Sequence, residues 1–529
     1  MVSKCFTEET GGYTMLLKII FLVVFFSVTI GVGFYCRKQA NNVNGFVLGG
    51  HSAGAWLTAF AYGTSYFSAV IFVGYAGQFG WKFGIASTWI GLGNAFIGSL
   101  LAWSVLGRRT RLMTQHLKSA TMPEFFGVRF NSHSLKVGAS IIIFIFLIPY
   151  TASLYNGLSR LFAMAFSVPY EYCIIVMAIL TGIYVIAGGY LATAINDFIQ
   201  GIIMLFGIVV IIFAVLKVHG GFAGSLDALA RVEDAEYQTP GVFASFFGPD
   251  PLSLLGVVIL TSLGTWGLPQ MVQKFYAIKS EDAISKGTLI STLFAVVVAG
   301  GCYFLGGFGR LFPSDTMFAA NGTIIYDEII PQMMTNLPDV LIAILIILVL
   351  SASMSTLSSL VLASSSTLTL DLIKDNIVKK MSEKKQLLTL RILIVVFILI
   401  SAVIAIIQYR SNITFIAQLM GVSWGALAGA FLAPFLYGLY SKKVTPCACW
   451  VSFIFGAGIM ALNMIARSSF PQVLQSPINC GAFAMLAGLI IVPIVSLFTK
   501  KVDKEIVDIQ QKKWLDEKTK KPTNKLTKP

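Results

Sequence analysis

The chain has 529 residues, 56% of them hydrophobic and only 12% charged, with a mean hydropathy of +0.80. No soluble globular protein of this size carries that balance, so the composition points to a polytopic membrane protein. The net charge of +14 would suit a nucleic acid. However, the basic residues gather on one side of the predicted spans and no nucleic-acid fold presents them, so no such partner is expected.

Crossing about 30 Å of hydrocarbon takes about 20 apolar residues. About 13 such stretches follow one another, over 14–36, 54–77, 84–106, 137–164, 170–189, 193–217, 253–273, 287–311, 339–371, 387–407, 412–440, 447–466 and 481–499. The expected fold is all-α. The first stretch follows Lys4, Glu8 and Glu9 and has no small-residue cleavage site behind it, so 1–36 reads as a retained extra span and not as a leader. Lys and Arg mark the cytoplasmic side. With the N-terminus outside and the C-terminus cytoplasmic, 29 of the 38 Lys and Arg residues fall in inner loops and in a basic tail over 500–529. Val502, Ile506 and Ile509 share one face of that tail, which is expected to rest on anionic membrane lipid.

Two spans contain sequences that break helices. In the second, Tyr62 to Ser68 reads YGTSYFS, a polar run that can open around Gly63; in the seventh, Gly264 to Gln270 reads GTWGLPQ, with two glycines and Pro269. Transporters pair such interrupted helices near the bilayer midplane, because unwound backbone offers ligands that an intact helix keeps for itself. Each opens a set of five spans, 54–217 and 253–440, as an inverted repeat requires, with two more spans over 447–499. Half-helix N-termini at the breaks favour an anionic group such as a carboxylate. Ser65, Tyr66, Ser68 and Trp266 are therefore candidate solute contacts.

The sixth span carries Asp197, and carboxylates inside membranes are usually functional or paired. The ninth span, LVLSASMSTLSSLVLASSSTLTLD from Leu348 to Asp371, is a membrane-length helix carrying hydroxyls that lipid cannot hydrate. Residues three and four apart stack on one helix face, so the Ala352 carbonyl and the Ser355 and Thr356 hydroxyls converge. Such neutral oxygens suit a monovalent hard cation such as Na⁺; calcium sites normally recruit carboxylates. Seven cysteines show no metal-ligand spacing beyond the pair Cys447 and Cys449, and no haem, zinc or dinucleotide pattern occurs, so no organic cofactor is expected.

Five segments in order, FVLGGHSAGAWLTAF (Phe46–Phe60), TMPEFFGVRF (Thr121–Phe130), IYVIAGGYLATAINDFIQG (Ile183–Gly201), VQKFYAIKS (Val272–Ser280) and MSTLSSLVLASSS (Met354–Ser366), resemble the sodium:solute symporters with the LeuT-type inverted-repeat fold. The likeness runs from about Tyr13 to Leu497. It implies a sodium site made by the carbonyls of Thr64 and Phe67 together with Ala352, Ser355 and Thr356. Asp197 matches the family's aspartate on the inner sodium pathway, and Tyr150, in the context PYTASL, matches a tyrosine near substrate in the proline-transporting members. Two positions depart from that branch. Tyr66 stands where it has an aspartate, with a YFSA run closer to the pantothenate and monocarboxylate branches, and TWGLPQ replaces WGLGYFGQP.

The expected function is Na⁺-coupled symport of a small organic solute, an amino acid or a carboxylate, across a bacterial cytoplasmic membrane. Proton coupling, with Asp197 titrating, is the nearest alternative. A solute sensor would normally need a signalling domain larger than the 30-residue tail. An enzyme would need a catalytic or metal-spaced cluster, which the sequence lacks. No segment points to an obligate protein partner.

Overall fold

The computed structural model describes residues 2–502 apart from 167, 320, 321, 336, 379 and 411–415. Ile506 and Ile509 of the basic tail lie outside the described residues. Regular structure among those described is helical, the exceptions being two isolated bridges, Ala53 with Ile278 and Phe318 with Ile324. Among the described residues ten helices are long and apolar enough to cross a membrane, or eleven when the bent pair Pro251–Gly267 and Pro269–Ala277 counts as one span. The chain is an integral, multi-pass membrane protein.

The difference from thirteen stretches arises in two continuous runs, Val70–Leu117 and Glu171–Lys217, each long enough to cross twice. Each run contains one glycine in a conformation that L side chains rarely adopt, Gly84 (φ 61, ψ −143) and Gly189 (φ 56, ψ −148). A Cβ would lie 2.0 Å from the Phe243 carbonyl oxygen at Gly84 and 2.7 Å from that of Phe46 at Gly189. Both helices therefore kink where only glycine fits.

The two expected interruptions are present with matching backbones. Ala55–Tyr66 stops at Phe67 (φ −79, ψ 121), and helix resumes over Val70–Tyr75 and Ala76–Phe83. Pro251–Gly267 stops at Leu268 (φ −81, ψ 124) and resumes over Pro269–Ala277 at 45° to its first half. A widened π turn follows each break at nearly the same distance, Phe96–Leu101 in the third span and Val296–Gly300 in the eighth.

The ninth span, Asp339–Thr367 with a π-helical end over Leu368–Ile377, lies at the centre, and every residue from Leu345 to Thr367 is buried. It packs against the second, fourth, sixth and tenth stretches. Protein rather than lipid therefore surrounds its hydroxyls. At its C-terminal end the buried Asp371 accepts a 2.5 Å hydrogen bond from Thr121 Oγ1 and lies 3.3 Å from Lys136, which also reaches Asp375 at 2.6 Å. Glu124 caps its own helix, Met122–Arg129. Its Oε2 accepts from the Ala120 N–H at 2.8 Å, while the Thr121 hydroxyl accepts from the Glu124 N–H at 3.2 Å.

Candidate ion and solute site

The break in the second span faces the middle of the ninth. Thr356 Oγ1 lies 3.1, 3.3 and 3.1 Å from the carbonyl oxygens of Thr64, Phe67 and Ala352. One hydroxyl carries one proton and can serve only one of three acceptors, so the cluster holds more lone pairs than donors. Ser355, a neighbour on the same helix, is buried, and its hydroxyl faces the Asp197 carboxylate without a well-formed hydrogen bond. A monovalent cation supplies the positive charge that such a neutral oxygen set lacks. Among the described residues no group of three His, Cys, Asp or Glu side chains could hold a metal.

Asp197 is fully buried, lies beside Ser355 and faces Lys274 Nζ at 3.6 Å. Lys274 also donates to Ser359 Oγ at 3.0 Å, and Ser359 Oγ lies 2.9 Å from Ser65 Oγ. Side chains of four spans thus form one polar chain from the sixth span to the break. By its position at the end of an apolar run, Lys274 reads as a cytoplasmic-loop residue. The structure corrects that reading, because Lys274 is 2% exposed and lies within Pro269–Ala277. Lysine has a long apolar stem, so hydropathy alone does not separate a snorkelling Lys from a paired, buried one.

Of the candidate solute contacts, Tyr66, Ser68 and Tyr150 come together and Ser65 and Trp266 do not join them. The rings of Tyr66 and Tyr150 both meet Trp424 edge-on, at centroid distances of 5.6 and 5.9 Å. Ser68 Oγ, Tyr150 Oη and Trp424 Nε1 are buried and face one another without a well-formed hydrogen bond, while the Tyr66 hydroxyl accepts from Asn94 Nδ2. Buried polar atoms with poorly made hydrogen bonds are costly, and three of them converge beside one aromatic cage. Ser65 instead donates to the Ala61 carbonyl at 2.6 Å and turns toward Ser359. Half-buried Trp266 donates Nε1–H to the Ile97 carbonyl at 3.0 Å, tying it to the third span. Asn94, Trp424 and Ser359 carry no local sequence signal, since each meets the site from a span distant in the chain.

Two helices broken at matching points, with a neutral oxygen cluster at one break, define a secondary transporter. The chain belongs to the sodium:solute symporter family, whose model matches residues 46–456. It is therefore a Na⁺-coupled solute transporter and not an enzyme. Similar curated proteins include sodium/proline symporter 2 of Staphylococcus saprophyticus, 28% identical over 506 residues covering 92% of this chain and 93% of that one. The sodium/proline symporter of Staphylococcus aureus strain NCTC 8325 is also 28% identical, over 505 residues with the same coverage. Among solved structures, a substrate-bound, outward-open Na⁺-coupled sialic acid symporter superposes with a TM-score of 0.73. Its identity is 16%, covering 92% of this chain and 99% of that one, so it shares the fold.

Proposed function

We propose that the chain accumulates a small carboxylate-bearing solute, an amino acid or a proline- or pantothenate-like acid, by coupling its entry to Na⁺. The observation that carries this reading is the convergence of Thr356 Oγ1 with three carbonyl oxygens at the break. Thr64, Phe67, Ala352, Ser355 and Thr356 hold Na⁺, and Asp197 accepts it on the way to the inner face. The solute sits between Tyr66, Ser68, Tyr150 and Trp424, with its carboxylate toward the N–H groups that begin the second half of the broken span. Ser65 and Trp266 fix the two breaks from behind. The relatives named for proline support an amino acid, and Tyr66 at the position of their branch's aspartate supports a different acid.

Coupling follows from linkage. Na⁺ bound at Thr64 and Phe67 orders the segment that carries Tyr66 and Ser68, so each ligand raises the affinity of the other by the same factor. The membrane potential adds about 2.3 kcal/mol per charge for every 100 mV. We assign thirteen spans by dividing the two long runs at Gly84 and Gly189. The matched breaks at Phe67 and Leu268 support the five-plus-five repeat. The basic loops place the N-terminus outside and the C-terminus in the cytoplasm.

Uptake into proteoliposomes tests this reading, with labelled proline, pantothenate, lactate and a sugar, with and without an inward Na⁺ gradient. Na⁺-driven accumulation of one solute, abolished in Ser355→Ala/Thr356→Ala, is the expected result. Saturable binding without accumulation under any gradient would sink it. Accumulation driven by protons alone moves the coupling site to Asp197, whose full burial opposite Lys274 favours that second reading.

A further inference from the structure

A cleft of about 560 Å³ opens where four helical segments end or begin, with His51, Lys118, Ser119, Lys374 and Glu383 on its walls. His51 ends the turn ahead of the second span, Lys118 and Ser119 follow the third, Lys374 lies in the π-helical end of the ninth and Glu383 begins the tenth. Two of these residues have a backbone that usually calls for glycine. Lys118 (φ 53, ψ 34) closes the helix Arg108–Leu117, its N–H bonding to the Gln115 carbonyl at 3.3 Å and the Ser119 N–H to the Thr114 carbonyl at 2.9 Å, an ending in which glycine is the common residue. His51 (φ 56) donates Nδ1–H to the Tyr276 carbonyl at 2.7 Å, which leaves Nε2. Four non-glycine residues among those described have positive φ, so two in one cleft concentrate backbone cost at one place. The charges there are unevenly matched. Lys118 and Lys374 form no ion pair among the described residues, and Asp375, next to Lys374, pairs with Lys136 at 2.6 Å instead. Glu383 accepts from the Val43 N–H at 3.1 Å through one oxygen. Ser119 is 4% exposed, and its hydroxyl has no hydrogen-bond partner.

We infer that this cleft binds a phosphate group, carried by a soluble ester or by a lipid headgroup. Lys118 and Lys374 answer its charge, the Ser119 hydroxyl donates to it, and His51 Nε2 accepts from a protonated phosphate oxygen. A cation would meet two unpaired ammonium groups. Partners arriving from three chain segments suit the tetrahedral oxygens of phosphate better than the two coplanar oxygens of a carboxylate, and a buried hydroxyl without a partner calls for one. The volume falls in the range of about 300–1,000 Å³ usual for small-molecule sites, so the group that carries the phosphate also fits. On the proposed orientation the cleft opens to the cytoplasm. The second and ninth spans wall it at their ends and meet at Thr356 in their middles. A phosphate bridging His51 and Lys374 therefore fastens these two spans and slows any transport step that parts them.

Thermal unfolding of the detergent-solubilised full chain tests the site whether or not the chain transports, with inorganic phosphate, glycerol 3-phosphate or acetate replacing chloride at constant ionic strength and pH. Phosphate and its ester should raise the melting temperature. Lys118→Gly relieves the left-handed backbone, so it should melt no lower than the parent in chloride and yet lose that rise. The phosphate concentration giving half the rise should increase about tenfold in Lys374→Gln, recover in Lys374→Arg and fall in Glu383→Gln, which removes the opposing charge. An equal rise in the parent, Lys118→Gly and Lys374→Gln would be a general salt effect and would overturn the proposal. So would a Lys118-dependent rise as large in acetate, or no rise with phosphate, its ester or phosphatidylglycerol. A Lys118-dependent rise with phosphatidylglycerol micelles alone, measured against phosphatidylcholine, assigns the phosphate to the membrane; one with the soluble ester assigns it to solution. In proteoliposomes with half-saturating phosphate on both sides, Na⁺-driven uptake should slow about twofold in the parent and not in Lys118→Gly. An equal effect on both would remove the brake and keep the site.

Discussion

The two interrupted spans share a backbone and differ in what holds it. At Leu268 the break is fixed within the chain itself. Pro269 has no N–H to leave unpaired and its ring presets the first helical turn, while the Leu268 carbonyl accepts from Met271 and Val272 at 3.1 Å each. Gly267 then lies so close to the eleventh span that a Cβ would come within 2.8 Å of the Ala428 backbone. At Phe67 no proline occurs, and the Thr64 and Phe67 carbonyls turn to Thr356 of another helix. A break sealed by covalent geometry stays as it is, whereas one closed by a neighbour's hydroxyl responds to whatever ion competes for its oxygens. With Na⁺ at those oxygens, as proposed, the second span is the ion-sensitive element and the seventh its fixed counterpart.

The largest effect should come from breaking the link between them. Lys274→Met leaves Asp197 buried without its cation, which costs about 3–5 kcal/mol; thermal unfolding in detergent should fall sharply, and adding Asp197→Asn should recover much of it. Loss in the double variant equal to or greater than in the single one would show that the pair is not coupled. Gly267→Ala should destabilise by about 1–3 kcal/mol through overpacking at the fixed break, read by the same melt, while a neutral outcome would show that the eleventh span can yield. Thr356→Val keeps the shape and removes the shared oxygen, so the Na⁺ concentration for half-maximal uptake should rise about tenfold with little change in melting. An unchanged Na⁺ requirement would place the ion elsewhere.

The smallest effect tests a surface tie, the Arg310–Asp234 pair, 2.7 Å apart. Burial alone would raise the Asp234 carboxyl, but the Arg310 guanidinium and the Glu236 and Tyr237 N–H groups outweigh it and hold it below the usual carboxylate range. A depressed folded value stabilises above the ordinary pKa, about 3.9, and that stabilisation is lost as pH falls through the lower folded value. Asp234→Asn should cost about 1 kcal/mol at neutral pH and flatten the melting temperature below about pH 4. A variant whose acid sensitivity matches the parent would show that this pair contributes nothing.

Much of the oxygen cluster was legible because it is local. Ala352, Ser355 and Thr356 are brought together by helical spacing alone, and Pro269 betrays the seventh-span break, whereas the second span stays helical through Gly63 and opens four residues later, at Phe67. The aromatic cage was legible only in part. Tyr66 and Ser68 follow from the break, but Trp424 and Asn94 are apolar-flanked residues in ordinary-looking helices, and only tertiary packing aims them inward. Lys274 was misplaced for the same reason, since its partner lies 77 positions earlier in the chain. Ser65 and Trp266 show the opposite error: residues at a break need not face what the break encloses.

The buried ninth span also bears on how the protein is made. Its second half would be a poor candidate for release into lipid on its own, because ten hydroxyl side chains lie between Ser351 and Thr367. The second, fourth and sixth stretches, against which it packs, all precede it in the chain. If the spans assemble in the order they are made, a polar-lined slot awaits this helix when it emerges, and the tenth stretch follows to close over it. Chain order becomes part of biogenesis, and a circular permutant that delivered the ninth span first would be expected to stall at insertion before folding was ever in question.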